Sequence, residues 1–351
     1  MTEIPVPGTA APLDEATGVF VDQRELLFGV VYNMLGSVAD TEDVLQETWL
    51  SWTARGGGAP LAGVDNPRAY LVRVAVDHAL RRRAVISRSQ ETYVGSWLPE
   101  PLVADEATDT ADGPAPRSES VSLAMLVVLE ALTPLERAVF VLGEVFGYPH
   151  AEIAEIIDRS PAAVRQLAHR AREHVHARRP RYEAHPRVRR EATERFVRAA
   201  LGGDIAELME VLAPDVTAWT DAGGKRRPAS LRPVHGRDKV ARLLTSGRGG
   251  PSNPVFRYRR VNGDDAAVLF DGDAPFAVLV LDLTSEGDRV RGIYVVANPD
   301  IRRSRERAAA GRDAVGEGGG YDWGPCHGRW SGLGSPFCEA PIGRVTVTAP
   351  A

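Results

Sequence analysis

Apolar residues recur at intervals of three and four positions in two separate stretches of the chain, at about 14–88 and 119–178. This spacing places them along one side of a helix, so both stretches are predicted to form all-α domains. Glycine and proline gather where helices are expected to end or begin, as at Asn66-Pro67. Over 188–300, two amphipathic helices are followed by segments of alternating polarity that are typical of strands. We therefore expect a third domain of α+β class, built on a curved antiparallel sheet.

The two helical stretches are separated by an acidic linker, 89–118, that is rich in small residues, proline and glycine. Its apolar content is too low to order it, except at the compact island Trp97-Leu98-Pro99-Glu100-Pro101-Leu102. Residues 301–351 are rich in arginine, alanine and glycine, and we expect most of this tail to be disordered.

The composition is that of a soluble protein of two or three domains, with 351 residues, 44% of them hydrophobic and 25% charged. The chain has no apolar run of about eighteen residues and no secretion signal, so a cytoplasmic location is expected. Its two cysteines, Cys326 and Cys338, exclude a disulfide framework for the remaining chain. With His327 they fall one ligand short of a closed zinc site, and a disordered tail with free thiols is the simpler interpretation. No cofactor and no metal are expected.

The net charge of −5 conceals an uneven distribution. Ten arginines lie between positions 159 and 190, against only two acidic residues, Glu173 and Glu183. A local basic block is the electrostatic footprint of a nucleic-acid contact, although arginine-rich helices also occur that are simply solvated.

The strongest local signal begins at Thr133-Pro134-Leu135-Glu136, which is typical of a capped helix start. Gly147 is expected to end this helix. A second helix is predicted over 150–157, followed by a turn at Asp158-Arg159 and a third helix from Ser160-Pro161. Short capped helices in this order predict a helix-turn-helix.

The third helix has one apolar side, and its opposite side carries Arg165, Gln166, His169 and Arg170. Arginine and glutamine are suited to bidentate contacts with guanine and adenine edges in the major groove. We therefore predict that this face binds DNA. The alternative is an αα-hairpin inside a helical core, with solvated arginines.

Two helices of the first domain have polar faces that suit binding. A helix starting at about Asp40 has an outer face formed by Asp43, Gln46, Glu47 and Leu50. Such a mixed face is either solvated or docks another protein. The helix after Asn66-Pro67 presents Tyr70, Arg73, Asp77 and Arg81, with Arg82 and Arg83 close by. An aromatic ring among cations suits single-stranded DNA, and a solvated helix is the alternative.

These segments together resemble extracytoplasmic-function (ECF) RNA polymerase sigma factors. Their polymerase-binding helix is similar to Ala39-Asp-Thr-Glu-Asp-Val-Leu-Gln-Glu-Thr-Trp-Leu50, and their promoter −10 helix to Asn66-Pro-Arg-Ala-Tyr-Leu-Val-Arg-Val-Ala-Val-Asp-His-Ala-Leu80. Their −35 domain is similar to Leu132-Thr-Pro-Leu-Glu-Arg-Ala-Val-Phe-Val-Leu142 with 152–175. The resemblance implies that 14–88 is sigma region 2 and 119–178 is sigma region 4, with core polymerase and promoter DNA as partners.

The resemblance also assigns roles to the polar faces. It implies core-polymerase binding by Asp43, Gln46, Glu47 and Leu50, contacts to the −10 element by Tyr70, Arg73, Asp77, Arg81 and Arg82, and contacts to the −35 element by Arg165, Gln166, His169 and Arg170. Promoter elements about 17 base pairs apart are separated by roughly 58 Å at about 3.4 Å per pair. The linker reaches about 100 Å when extended at ~3.3 Å per residue, so one chain can touch both elements.

Three further motifs are similar to those of sigma factors with a fused SnoaL-like (NTF2-like) C-terminal cone domain, the sigma-J-like group. They are Tyr93-Val-Gly-Ser-Trp-Leu-Pro-Glu-Pro-Leu102, Asp221-Ala-Gly-Gly-Lys225 and Asn298-Pro-Asp300. The resemblance implies that this domain replaces a separate anti-sigma factor, with regulatory contacts at Trp97, Leu98, Pro99, Glu100, Pro101, Asp221, Gly223, Gly224, Lys225, Asn298, Pro299 and Asp300. Two positions depart from the pattern: Ala222 replaces a glycine, and Ile301 stands where lysine is common.

The linker island also has a physical interpretation of its own. Prolines beside Trp97, Leu98 and Leu102 make a stiff apolar ligand that docks with little loss of chain entropy. We expect it to dock on the SnoaL-like domain or between the two sigma domains, and a locally collapsed linker is the alternative.

The leading interpretation is a sigma factor without enzymatic activity that is regulated by its C-terminal domain. A helix-turn-helix regulator that acts without polymerase is one alternative. The other is a DNA-tethered enzyme, because Trp219, Asp221 and His235 could line a pocket of the SnoaL-like fold. No acid-base pair is fixed by their spacing, and a small-molecule ligand of the pocket is left open.

Overall fold

A computed structural model describes most of the chain from the first helix to the last strand. The described residues are 11–55, 64–93, 95–103, 121–178, 185–223, 230–246, 250, 254–272 and 274–297.

The described part of the first domain contains three helices: α1 (Ala11–Leu35), α2 (Val38–Arg55) and α3 (Pro67–Thr92). α3 begins where the sequence predicts, because the Asn66 side chain accepts a hydrogen bond from the Ala69 N–H at 3.0 Å and Pro67 is the first helical residue. α3 then continues to Thr92, so the start of the expected linker, 89–92, is helical instead.

Four helices form the second domain: α4 (Leu123–Leu129), α5 (Pro134–Phe140), α6 (His150–Ile156) and α7 (Pro161–Arg178), with a π-helical turn at Val141–Val145. The capping box of α5 is present, since Thr133 and Glu136 each accept a hydrogen bond from the other's backbone N–H. Asp158 connects α6 to α7 with φ 51°, a left-handed conformation that short polar side chains tolerate. The predicted helix-turn-helix is confirmed.

Over its described residues the C-terminal domain contains three helices and six strands: α8 (Pro186–Gly202), α9 (Ile205–Val211), β1 (Leu212–Asp221), β2 (Val234–His235), α10 (Arg237–Thr245), β3 (Pro254–Val261), β4 (Asp264–Asp271), β5 (Ala274–Leu283) and β6 (Val290–Val296). The strand order is β2-β1-β6-β5-β4-β3.

The sheet is mixed, so the expectation of an antiparallel sheet was wrong in one respect. β1 pairs with β6 in parallel, with Ala218 opposite Ile293, while the other strand pairs are antiparallel. Parallel neighbours need a long crossover, and the chain between β1 and β6 supplies it. That crossover contains α10 and the two-residue strand β2, which the pattern of alternation did not predict.

Both faces of the sheet are covered. One face packs on the helices of its own domain through residues such as Val216 and Ile293. The opposite face, which carries Val280 and Val296, shares a hydrophobic core with the helical domains and with linker residue Leu98. α4 packs directly against β5. The helical domains and the sheet are therefore joined by a buried apolar interface.

Candidate nucleic-acid and polymerase interfaces

The outer face of α2 carries an apolar residue among polar ones. Asp43, Gln46, Glu47 and Leu50 are all exposed, because the opposite side of the helix is buried in the bundle. Leu50 exposes 58% of its surface, although leucine is usually buried. Glu47 lies beside His78 of α3, with Oε2 3.1 Å from Nδ1. An apolar centre with a polar rim is the composition of a protein-docking surface.

One side of α3 combines an anchored aromatic ring with exposed charges. The ring of Tyr70 is half-buried, and its centroid lies 5.6 Å from that of Trp52 in the core. Arg73, Asp77 and Arg81 are exposed, and Arg81 pairs with Asp77 at 2.7 Å. A fixed ring beside two arginines is suited to stacking on a base while phosphates are neutralised.

Arg82 lies on a different surface from the other residues expected at the −10 element. Its Nε donates a hydrogen bond to Asp40 Oδ1 at 2.6 Å, and its Nη2 donates to Asp43 Oδ2 at 3.0 Å. The hydrogen bond with Asp40 raises the pKa of the Arg82 guanidinium above its usual value. Arg82 therefore connects α3 to α2, at the edge of the face that presents Leu50.

The exposed face of α7 is rich in hydrogen-bond donors: Arg165, Gln166, His169 and Arg170. His169 Nδ1 lies 3.3 Å from Glu173 Oε2, one turn further along. Arg170 is held from another helix, because its Nε donates to Glu136 Oε1 of α5 at 3.0 Å. This face has the width and the chemistry to enter a major groove.

The linker island is docked against the turn between α1 and α2. Trp97 is half-buried, while Leu98, Pro99, Glu100 and Pro101 are buried. Glu100 donates its N–H to the Gly36 carbonyl and accepts a bond from the Val38 N–H at Oε2, both at 2.7 Å. Gly36 has φ 72°, and a Cβ there would lie 3.3 Å from Pro99 Cβ, so glycine is needed for this approach.

The C-terminal domain holds the same segment through Asp221 at the end of β1. Its carboxylate is buried and accepts hydrogen bonds from the Leu98 N–H at 3.0 Å and from the Tyr93 hydroxyl. The Gly223 N–H donates to Oδ1 at 2.9 Å, which fixes the carboxylate within its own turn. The Tyr93 ring packs edge-on against Trp97, with centroids 5.1 Å apart. The sequence predicted docking either on the C-terminal domain or between the two helical domains. In the structure the island docks on the C-terminal domain, and its other side contacts the turn between α1 and α2 of the first helical domain.

Asn262, in the turn between β3 and β4, holds the far end of the island. Its side-chain oxygen accepts a hydrogen bond from the Leu102 N–H at 3.0 Å, and its own N–H donates to the Leu102 carbonyl at 2.8 Å. Its side-chain amide donates to the hydroxyl of Tyr32 in α1 at 2.9 Å. The sequence analysis missed this residue, because no motif marks it.

A buried ion cluster joins the two helical domains. Glu130, directly after α4, accepts hydrogen bonds from Arg137 Nη1 at 2.6 Å and from Arg83 Nη2 at 2.7 Å. Arg137 is only 1% exposed and donates its Nε to the Asn33 carbonyl of α1 at 2.9 Å. Arg83 is also buried, so its expected place near the exposed cations of α3 was wrong.

The charge state of this cluster follows from its arginines. Burial alone would raise the pKa of Glu130, but the charges of Arg137 and Arg83 outweigh burial and lower that pKa. The carboxylate is therefore ionised at neutral pH, and it links α3 of the first domain to α5 of the second.

A cavity of about 250 Å³ lies between α4 and the sheet. It is lined by Ala124, Val128, Asp215, Thr217, Trp219, Asp282, Arg291, Gly292 and Tyr294. Of the three residues considered for a catalytic pocket, only Trp219 is among them. Asp221 is bonded to the linker, and His235 is exposed, with Nδ1 3.0 Å from Thr217 Oγ1. Asp221 and His235 therefore do not meet as an acid-base pair.

Five expected contact residues lie outside the described residues: Gly224, Lys225, Asn298, Pro299 and Asp300. The tail expected to be disordered, 301–351, also lies outside them, with the three residues considered as zinc ligands, Cys326, His327 and Cys338.

Comparisons with known proteins match each part of the chain. Residues 20–88 match the family described as Sigma-70 region 2, residues 122–175 match Sigma-70, region 4, and residues 193–302 match the SnoaL-like domain. The fold and its exposed helix faces thus define a sigma factor with a SnoaL-like C-terminal domain.

Individual relatives show which kind of sigma factor the chain resembles. The ECF RNA polymerase sigma factor SigJ of Mycobacterium tuberculosis (strain ATCC 25618 / H37Rv) is 36% identical over 289 residues, which is 79% of this chain and 90% of SigJ. The probable ECF RNA polymerase sigma factor SigI of the same strain is 31% identical over 293 residues, 82% of this chain and 94% of SigI. The crystal structure of Mycobacterium tuberculosis SigJ matches with a TM-score of 0.63 at 33% identity, covering 82% of this chain and 98% of that one. The chain belongs to the ECF RNA polymerase sigma factors.

Membership of this family decides against a regulator that acts without polymerase. Among the helices that the structure describes, none combines the length and the apolar character needed to cross a membrane.

Proposed function

We propose that the SnoaL-like domain restrains this sigma factor by holding regions 2 and 4 together, and that release of this restraint lets them engage a promoter on core polymerase. The observation that carries the proposal is the double contact of Asp221 with the linker, at Tyr93 and at Leu98. A linker fixed at these points loses part of the extended reach of about 100 Å with which it could span two promoter elements separated by roughly 58 Å.

The hydrogen bonds that Asp221 and Asn262 form with the linker contribute substantially to holding it in place. Asp221 is a buried carboxylate, and hydrogen bonds to a charged group contribute about 1.5–3 kcal/mol each. Asn262 adds two bonds to Leu102, so the island is fastened at both ends. Loss of either anchor should therefore shift a population between closed and extended conformations.

The contact between regions 2 and 4 has the character of an interface that can separate. Glu130 is well bonded, but Arg83 Nε and Nη1 and Arg137 Nη2 have no hydrogen-bond partner among the described residues. Buried charges that are incompletely bonded offset much of the energy of their own ion pairs. Opening would return these groups to water, so the closed state depends on the additional contacts of the linker and the sheet.

The open protein would bind through three faces. We propose that core polymerase binds Asp43, Gln46, Glu47 and Leu50, that the −10 element meets Tyr70, Arg73, Asp77 and Arg81 with Arg82 at the border, and that the −35 element meets Arg165, Gln166, His169 and Arg170. Trp97, Leu98, Pro99, Glu100 and Pro101, with Asp221 and Gly223, would set how readily these faces become available.

Run-off transcription from the fragment upstream of this protein's own gene, with bacterial core polymerase and the full chain, tests the proposal. Asp221→Asn removes the charge at the anchor and keeps its shape, and Asp271→Asn makes the same change at an exposed position of β4. We expect Asp221→Asn to raise transcript yield by up to about tenfold, the effect of ~1.4 kcal/mol, and the control to match the wild type.

Equal transcript yields from Asp221→Asn and the wild type would show that the contact of Asp221 with the linker does not regulate transcription. A lower yield with normal core binding would mean that the domain assists initiation rather than restrains it.

A further inference from the structure

We propose that Glu136 is a positioning residue for promoter recognition: its carboxylate holds the guanidinium of Arg170 in the orientation with which α7 meets the −35 element. This inference rests on the proposed role of α7 and adds a residue that lies outside the DNA-facing helix. Glu136 belongs to α5, and its side chain is only 5% exposed.

The two oxygens of the carboxylate have separate tasks. Oε2 accepts hydrogen bonds from the Thr133 N–H at 3.1 Å and from the Thr133 hydroxyl at 2.9 Å, which fixes it to the start of α5. Oε1 accepts the bond from Arg170 Nε at 3.0 Å. The helix cap thus holds the carboxylate, and the carboxylate holds the arginine of the next helix but one.

The contact leaves the binding end of Arg170 available. Its side chain is 55% exposed, and Glu136 engages only Nε. The two terminal amino groups of the planar guanidinium are the ones that form bidentate bonds with a guanine or a phosphate. Because Nε is fixed beforehand, binding DNA requires less ordering of a long side chain, which is worth roughly two- to tenfold in affinity.

The carboxylate is charged when it does this. Burial alone would raise the pKa of Glu136, but the hydrogen bonds from Thr133 and Arg170 outweigh burial and lower it. The ring of His174 also lies nearby, with Nδ1 3.8 Å from Oε2. Removal of Arg170 would therefore leave a negative charge near the DNA phosphates with less compensation. Neutralising Glu136 should then not weaken DNA binding further.

A double-mutant cycle on the holoenzyme separates positioning from simple stabilisation of α5. Binding is measured to the promoter fragment and to versions with single base-pair changes in the −35 element, for the wild type, Glu136→Gln, Arg170→Ala and the double variant. We expect Glu136→Gln to weaken binding roughly two- to tenfold and to reduce discrimination at the base pairs that Arg170→Ala affects. In the Arg170→Ala background the same change should cause no loss, or restore part of the affinity.

Two controls accompany the cycle. Ser122→Ala removes the side chain that caps α4, where it accepts a hydrogen bond from the Met125 N–H at 3.2 Å, and leaves Thr133, Glu136 and Arg170 in place, so it should lower thermal stability without changing base preference. Glu144→Gln removes a carboxylate that lies 2.6 Å from Arg172, a neighbour of Arg170 on α7. This change should leave discrimination intact at the base pairs that Arg170→Ala affects.

Equal losses from Glu136→Gln in both backgrounds, or no loss beside wild-type Arg170, would overturn the inference. If Arg170→Ala itself alters no −35 position, the proposed role of α7 fails instead, and the two failures are distinguishable.

Discussion

Asn262 donates a hydrogen bond from its side-chain amide to the Tyr32 hydroxyl at 2.9 Å, although the two residues are 230 positions apart. The Tyr32 hydroxyl in turn donates to the Glu100 carbonyl at 2.6 Å, so sheet, first helix and linker meet at one point. Asn262 has φ 51°, a left-handed conformation that asparagine adopts more readily than most residues. One small side chain therefore fastens three parts of the chain.

Asn262→Ala should loosen the end of the linker. The change removes the acceptor for the Leu102 N–H and leaves the buried Tyr32 hydroxyl with one partner fewer, a loss of about 1–3 kcal/mol. Hydrogen exchange in the full-length protein measures this as faster exchange of the Leu102 amide. Asn262→Gly accepts the same φ without strain, so it should speed that exchange with a smaller loss of global stability. Unchanged exchange in both variants would contradict the assigned contact.

Glu130 should make the closed state sensitive to acid. Its pKa is lowered in the folded protein, so its stabilisation is fully present above the ordinary carboxyl pKa of about 4.3 and is lost as the pH falls through the folded value. Urea midpoints measured from about pH 3.5 to pH 7 should therefore rise with pH and level off above about pH 5. Glu130→Gln should lower the free energy of unfolding at neutral pH by about 3–5 kcal/mol and make the urea midpoint less dependent on pH, because it leaves Arg83 and Arg137 buried without a counter-charge.

The exposed carboxylate of Glu91 on α3 provides the control for that experiment. Glu91→Gln should reproduce the wild-type curve. If the urea midpoint of Glu130→Gln changes with pH as steeply as that of the wild type, other carboxylates determine the loss of stability in acid.

Leu50→Ala should weaken the affinity for core polymerase by more than about 1 kcal/mol, because an apolar residue at the centre of a docking face loses most of its buried area. Titration of labelled full-length protein with core polymerase measures the change. Leu231 is the matched control, as a leucine of the C-terminal domain with 54% exposure. Equal affinities for Leu50→Ala and Leu231→Ala would exclude the α2 face as the docking surface.

Arg82 and Arg73 should have separable effects, because only Arg82 is tied to α2. Arg82→Ala should reduce stability by roughly 1 kcal/mol and weaken core binding, since it frees Asp40 and Asp43. Arg73→Ala should leave stability and core binding unchanged and should reduce promoter melting. Permanganate footprinting of the −10 region, normalised to core binding, distinguishes the two variants. Arg82 belongs among the DNA contacts if its variant impairs melting at full core occupancy.

The elements that could be predicted are those whose signals are local. The cap at Asn66, the capping box of Thr133 and Glu136, and the Ser160-Pro161 start each depend on residues within a few positions, and all are present. The outer face of α2, with Asp43, Gln46, Glu47 and Leu50, followed from helical spacing for the same reason, and all four residues are exposed.

The junction between the domains could not be predicted in this way. Arg137 lies inside a recognised motif, but arginine is rarely buried, and nothing local assigns it to Glu130. The one available signal was the uncharged run 121–129, which indicates burial directly before Glu130. The parallel pairing of β1 with β6 likewise depends on tertiary contact, because both strands show the same alternation in either orientation.

The docking of the linker also determines which pieces of this protein can be exchanged. Residues 95–103 fit Asp221 and Asn262 on one side and the glycine turn at Gly36 on the other. A C-terminal domain transplanted from another sigma factor must therefore bring its own linker and a matching α1–α2 turn. Arg165 and Gln166 take no part in these contacts, so substitutions that test the proposed −35 role of α7 should leave the docking of the linker intact. The parts of this chain that have to be exchanged together therefore cross the domain boundaries.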